Sequence, residues 1–315
     1  MSVQPTVPDT PPDGRPPVTV ARLREMKQRH EPIVMVTAYD HPGALAAEEA
    51  GVDIVLVGDT AAMTVLGYDS TVPVSLDEML VLARAVRRGL ETPMMIGDLP
   101  FGSYQRSNEQ AVDSAVRYMK EASCDAVKLE MAGVTSGPVD KRESLDRVRA
   151  VVAAGIPVMG HVGLTPQSHS ALSGYRAQGR TARQAVQVAD DALALQEAGC
   201  FAIVFEAVPA AVTETIMKRL EVPVIGIGAG PAADGQVLVF HDLLGIYEGH
   251  RPRFVKQYAQ LRRTMVEGIG AFAADVRERR YPADDHTYRI DADELDRFRE
   301  IVDPGAAWDI ADAMS

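Results

Sequence analysis

The chain has 315 residues, 46% of them hydrophobic and 24% charged, with a formal net charge of −12. That is enough chain to bury a large core without disulfide staples, while the acidic balance speaks against a nucleic-acid surface and no apolar run is long enough to span a membrane. Two cysteines, Cys124 and Cys200, are too few for a disulfide framework or a zinc site, and they read as small buried residues just ahead of strands.

Residues 1–18 carry Pro5, Pro8, Pro11, Pro12, Pro16 and Pro17 and little apolar content. They lack the basic start and apolar centre of a signal peptide, so the expectation is a disordered tail on a cytoplasmic protein. Thr19 can cap a helix over 20–28, whose Val20, Leu23 and Met26 would plug the bottom of a barrel. A strand over 33–38, a helix over 42–50 and a strand ending at Val57 follow. The connection 58–74 is unusually long, and loops of that length tend to carry function. Ser75 caps the helix expected over 76–89. Then come a strand over 94–97, a helix over 108–122, a strand over 126–130, a helix over 141–154 and a strand over 158–160.

A second long polar loop covers 163–180, followed by a helix over 182–198, a strand over 202–205 and a helix over 210–220. The seventh strand runs into Gly226, Gly228 and Gly230, and the eighth is expected at 236–240. Those glycines resemble a dinucleotide fingerprint only loosely, and tight turning at a strand end explains them. Residues 252–278 read as a long amphipathic helix or pair suited to an outer cover or a subunit contact. The domain division expected is therefore the tail 1–18, a barrel over 19–283, and an acidic extension 284–315 with a helix at 291–301.

One phrase recurs three times: Glu49 to Asp59, Glu121 to Glu130 and Glu197 to Glu206, the last two offset by 76 residues (121 to 197, 130 to 206). Each reads as a helix end, a tight turn and a buried strand that finishes on a carboxylate. A second phrase alternates with it, a proline before an apolar run, at Pro32, Pro93, Pro157 and Pro223. Strands alternating with helices mean a parallel sheet with right-handed crossovers, and eight of them in two alternating kinds fit a closed (β/α)8 barrel better than an open sheet. Asp59, Asp98, Lys128, Glu130, His161 and Glu206 then all fall at the C-terminal ends of strands, the face where barrel enzymes build their sites.

Lys128 and Glu130 are two apart on one strand and share a side. An inward lysine is a candidate anchor for a substrate carboxylate, or else half of a buried ion pair with Glu130. Asp59, Asp98 and Glu130 crowd three carboxylates at one corner, which calls for a hard cation such as Mg2+ with open positions for substrate and water. His161 is a metal ligand, a donor to a substrate oxygen or a satisfied core histidine. Glu206 is a candidate general base.

The strings Val36-Thr37-Ala38-Tyr39-Asp40, Asp98-Leu99-Pro100-Phe101, Val127-Lys128-Leu129-Glu130, Gly160 to Gln167, Gly174-Tyr175 with Gln178-Gly179-Arg180, and Ile225 to Gly230 resemble those of the ketopantoate hydroxymethyltransferase family over about residues 20–285. That resemblance implies a barrel of the phosphoenolpyruvate/pyruvate-binding type, assembled as a decamer. It implies hydroxymethyl transfer from 5,10-methylenetetrahydrofolate to 3-methyl-2-oxobutanoate, with Mg2+ at Asp59, Asp98 and Glu130. Asp59, Thr60, Asp98 and Lys128 would contact the keto acid, His161 would hydrogen-bond it, and Glu206 would accept the proton. The sequence departs from the family at Thr60, where serine is usual, and at Ala61-Ala62 and Met131-Ala132, where glycines are usual, which adds bulk near the expected mouth. The rivals are a Mg2+-dependent 2-oxo acid lyase of the same barrel type, a paralogue using another 2-oxo acid, and a barrel without catalysis.

Overall fold

The computed structural model describes residues 14–131, 141–168, 178–249 and 252–302. Eight parallel strands close into a barrel in sequence order: β1 (Ile33–Thr37), β2 (Ile54–Val57), β3 (Met94–Asp98), β4 (Ala126–Glu130), β5 (Val158–Gly163), β6 (Ala202–Glu206), β7 (Val224–Ile227) and β8 (Gly235–Leu238). Strand alternation divides the apolar residues into two cores. Ile33, Met35, Ile54, Ile96, Met159 and Val204 fill the inside of the barrel. Val55, Val57, Met95, Val127, Leu129 and Phe205 point outward into the layer beneath the helices.

Helix α1 (Val20–Gln28) is capped by Thr19, which accepts from the N–H of Arg22. Its Leu23 and Met26 join the inner core, so the helix closes one end of the barrel as its spacing suggests. The outer layer is α2 (His41–Glu49), α3 (Ala61–Thr64), α4 (Leu76–Arg87), α5 (Asn108–Glu121), α6 (Lys141–Ala153), α7 (Ala182–Glu197), α8 (Ala210–Met217) and α9 (Phe240–Leu243). Ser75 and Thr181 make capping boxes with Glu78 and Gln184 and so start α4 and α7 where the sequence predicts.

Three boundaries differ from expectation. The eighth strand ends at Leu238, because Phe240 opens α9 and its N–H is taken by the Thr37 hydroxyl at 2.9 Å. Strand β5 continues to Gly163, paired with β6 up to Glu206. The helix expected from 252 begins only at Leu261, and Tyr258 N–H instead bonds back to the Leu243 carbonyl. Within the expected tail, Arg15 donates to the Glu48 carbonyl and Val18 to that of Thr92.

The chain divides after Gln260 into two compact units. The second contains α10 (Leu261–Arg277) and α11 (Ala292–Ile301), and α10 leaves Met265, Val266, Ile269, Phe272 and Val276 exposed. Cys124 and Cys200 are free and buried. Among the described residues no helix is long and apolar enough to cross a membrane. Ala132, Gly174, Tyr175, His250 and residues 303–315 lie outside the described residues.

Candidate active site

The strand ends bring all seven expected residues to one cavity, lined by Asp59, Thr60, Asp98, Lys128, Glu130, His161 and Glu206. Register explains the convergence. Asp98 stands beside Lys128, Glu130 beside His161, and Gly163 beside Glu206. On β4, Ala126 joins the inner core while Val127 and Leu129 face the helices, so Lys128 and Glu130 share the inner side. Leu56, Val204, Ile227 and Val237 add aliphatic lining to the same cavity.

Lys128 Nζ lies 2.8 Å from Asp98 Oδ1, so the buried ion pair weighed as the alternative for this lysine is made with Asp98 and not with Glu130. Burial by itself would lower the lysine, but Asp98, Glu130 and Asp59 outweigh it and hold the ammonium above its ordinary pKa. Asp59 is pushed well above the carboxylate range, first by burial and then by repulsion from Asp98 and Glu130. The N–H of Asp59 donates to Asp98 Oδ2 at 3.1 Å.

His161 is flanked by two carboxylates, with Nδ1 at 3.4 Å from Glu130 Oε1 and Nε2 at 3.2 Å from Glu206 Oε2. Neither contact has hydrogen-bond alignment. Burial and Lys128 oppose the imidazolium, yet Glu130 and Glu206 prevail and raise its pKa to about 9. Glu206 is the most accessible of these groups, its side chain 17% exposed against 2% for Glu130.

Burial of Glu130 Oε1 with no hydrogen-bond partner, and the mutual repulsion felt at Asp59, fit an oxygen-seeking divalent cation. Among the described residues, no group of three or more His, Cys, Asp or Glu is poised to hold a metal ion as the side chains stand. Ala61 and Met131 do not line the cavity; both are buried in the outer core. Of the departures noted in the sequence that lie among the described residues, only Thr60 reaches it, and its hydroxyl accepts from Tyr39 at 3.2 Å.

Sequence reading missed the parts played by Tyr39, Tyr104 and Gln167. Gln167 falls in a quoted string, but nothing in its spacing marks it as buried against two of the carboxylates.

The profile described as "Ketopantoate hydroxymethyltransferase" matches residues 17–284. Over 272 residues the chain is 50% identical to "3-methyl-2-oxobutanoate hydroxymethyltransferase" of Moorella thermoacetica, covering 86% of this chain and 98% of that one. It is 48% identical over 287 residues to "3-methyl-2-oxobutanoate hydroxymethyltransferase 1, mitochondrial" of Arabidopsis thaliana, covering 89% and 80%. Among solved structures it resembles a phosphoenolpyruvate phosphomutase of Streptomyces platensis subsp. rosaceus, with TM-score 0.58, 17% identity and 89% and 97% coverage. It also resembles 2,3-dimethylmalate lyase, a member of the PEP mutase/isocitrate lyase superfamily, with TM-score 0.56, 18% identity and 88% and 93% coverage. At such identities these two likenesses concern the fold.

Proposed function

The chain belongs to the ketopantoate hydroxymethyltransferase family, and from that premise we propose that it transfers a hydroxymethyl group from 5,10-methylenetetrahydrofolate to 3-methyl-2-oxobutanoate, giving 2-dehydropantoate for pantothenate synthesis. The observation that carries this reading is the mixed lining of the cavity, charged and aliphatic side chains together. A branched 2-oxo acid has one charged, chelating end and one aliphatic end, and the cavity lining supplies groups that suit both.

Lys128, kept as the ammonium, supplies positive charge for the substrate carboxylate. Glu206, the most exposed of the carboxylates that line the cavity, takes the C3 proton. His161, protonated between Glu130 and Glu206, orients the base and donates to the oxygen on which negative charge develops. Asp59, Asp98 and Glu130 would hold Mg2+, which when bound supplies polarisation of the keto carbonyl and so acidifies C3. The deprotonated C3 then forms the new carbon–carbon bond to the one-carbon unit, water supplying the hydroxyl and tetrahydrofolate departing.

The test is to incubate the protein with 3-methyl-2-oxobutanoate and Mg2+, with and without methylenetetrahydrofolate. Folate-dependent 2-dehydropantoate is the expected product, whereas folate-independent cleavage of a 2-oxo acid would favour the lyase reading. We further propose self-association, a decamer by family resemblance, supported by the exposed apolar stripe of α10. Sedimentation at monomer mass at micromolar concentration would overturn it.

A further inference from the structure

The side chain of Gln167 is buried and each of its polar atoms is engaged. Its Nε2 donates to Asp59 Oδ2 at 3.0 Å and to the Leu99 carbonyl at 2.9 Å. Its Oε1 accepts from the Tyr104 hydroxyl at 2.7 Å and from Gln105 Nε2 at 3.4 Å. Its main-chain N–H donates to Glu130 Oε2 at 3.1 Å. A residue just beyond β5 thus ties together the ends of β2, β3 and β4.

The amide can sit only one way round. Turned over, its oxygen would face a carboxylate and a carbonyl, both acceptors, its NH2 would face the Gln105 NH2, both donors, and the Tyr104 hydroxyl would lose its short acceptor. Tyr104 is buried as well, and its hydroxyl also reaches the Glu130 carbonyl at 3.5 Å. The tyrosine sets the orientation of the glutamine, and the glutamine sets the rotamer of Asp59.

We infer that Gln167, oriented by Tyr104, is a positioning residue for the keto-acid site, holding Asp59 and Glu130 at a fixed separation before any ligand arrives. This rests on the functional reading above. Three carboxylates that repel one another have no reason of their own to stay convergent, and N–H donors to two of them supply that reason without adding a competing charge.

The test uses Gln167→Leu, which keeps the shape but removes donor and acceptor, and Tyr104→Phe, which removes only the orienting hydroxyl. Calorimetry with Mg2+ alone, and with Mg2+ plus 3-methyl-2-oxobutanoate, should show affinity about tenfold or more weaker in Gln167→Leu, the worth of one hydrogen bond to a charged group. Tyr104→Phe should weaken it less. The double variant should be no worse than Gln167→Leu alone, because both act through one carboxamide.

In turnover the keto-acid KM should rise while kcat changes much less. A loss of correctly folded protein would lower kcat at unchanged KM and would overturn the proposal, as would additive effects of the two substitutions. If Gln167→Leu does not fold, Tyr104→Phe with wild-type affinity overturns it, and Tyr104→Phe with weakened affinity and raised KM sustains it. Wild-type protein that binds no keto acid with Mg2+ removes the functional reading itself; wild-type binding matched by both variants removes only the role of Gln167.

Discussion

The Lys128 ammonium lies 2.8 Å from Asp98 Oδ1, in a pair whose side chains are 5% and 2% exposed. Removing one member of a buried pair leaves the other charge stranded in a poor solvent, at a cost of about 3–5 kcal/mol. Lys128→Met should therefore destabilise the metal-free protein by that amount at neutral pH. Adding Asp98→Asn should restore part of the loss without restoring keto-acid binding. Urea unfolding and calorimetry on the single and double variants measure both effects, and a Lys128→Met protein as stable as wild type would show that the pair is not charged.

Glu206 is assigned the proton transfer because it is the most exposed of the four carboxylates that line the cavity. Glu206→Gln keeps the shape but accepts no proton. Keto-acid affinity should change little, while exchange of the substrate C3 hydrogen with deuterated water should slow by about 100-fold or more. Proton NMR follows the exchange directly, and an unchanged rate would place the base elsewhere.

Gly163 has φ +92°, and a Cβ there would stand 2.3 Å from the Glu206 carbonyl oxygen and 2.8 Å from Val208 Cγ2. Both the left-handed conformation and the contact require glycine. Gly163→Ala should destabilise the protein by about 1–3 kcal/mol and displace the end of β6 that carries Glu206. Its kcat should fall together with its Tm. Wild-type values of both would mean that the β5 and β6 ends tolerate separation.

Two groups at the site give the metal-free protein a common pH dependence. His161 has a folded pKa of about 9 against an unfolded value near 6.5, so its contribution is full below about pH 6.5 and is lost as pH rises through about 9. Asp59 is also raised, and its contribution is present below the ordinary carboxylate range and lost as pH rises through its folded pKa. Both slopes have the same sign. The Tm of the metal-free protein should fall from pH 6 to pH 9.5, and Asp59→Asn should raise it at neutral pH while weakening Mg2+-dependent keto-acid binding. Calorimetric scans across that range check the sign, and a rising Tm contradicts it.

The barrel was legible because buried parallel strands announce themselves as short apolar runs, and because the two alternating phrases recur in phase. Asp59, Asp98, Lys128, Glu130, His161 and Glu206 were legible because each is a charged or polar residue closing such a run. The Lys128–Asp98 pair was not. Sequence spacing favours Glu130, two residues away on the same strand, whereas the cross-strand register that sets Asp98 beside Lys128 exists only once the barrel closes. Gln167 and Tyr104 were hidden for the same reason, since their meeting joins loops 63 residues apart and leaves no periodic trace. The helical signal over 252–278 began too early because Pro252 to Gln260 has suitable apolar spacing, but the Tyr258 N–H bonds back to Leu243 at the end of α9.

Among the described residues Thr60 is the one family departure that lines the cavity, and its orientation is not free. Tyr39, whose hydroxyl is pushed up to about 12 chiefly by burial, stays a donor at neutral pH and holds Thr60 Oγ1 at 3.2 Å. With the hydroxyl pinned, the position of the extra methyl is pinned as well. A methyl-sized change in an apolar pocket is worth ~1–3 kcal/mol, or about 10 to 200-fold in discrimination. Ala61 and Met131 lie in the outer core and contribute no bulk to the cavity. The expected outcome is that 3-methyl-2-oxobutanoate remains a substrate of both wild type and Thr60→Ser, since Asp59, Asp98, Lys128 and Glu206 act on the end common to all 2-oxo acids. The ratio of kcat/KM between it and a bulkier or smaller 2-oxo acid should change, with Thr60→Ser admitting the bulkier one more readily. Equal ratios across such a panel would mean that the methyl points away from the substrate and that preference is set by the aliphatic residues lining the cavity, Leu56, Val204, Ile227 and Val237.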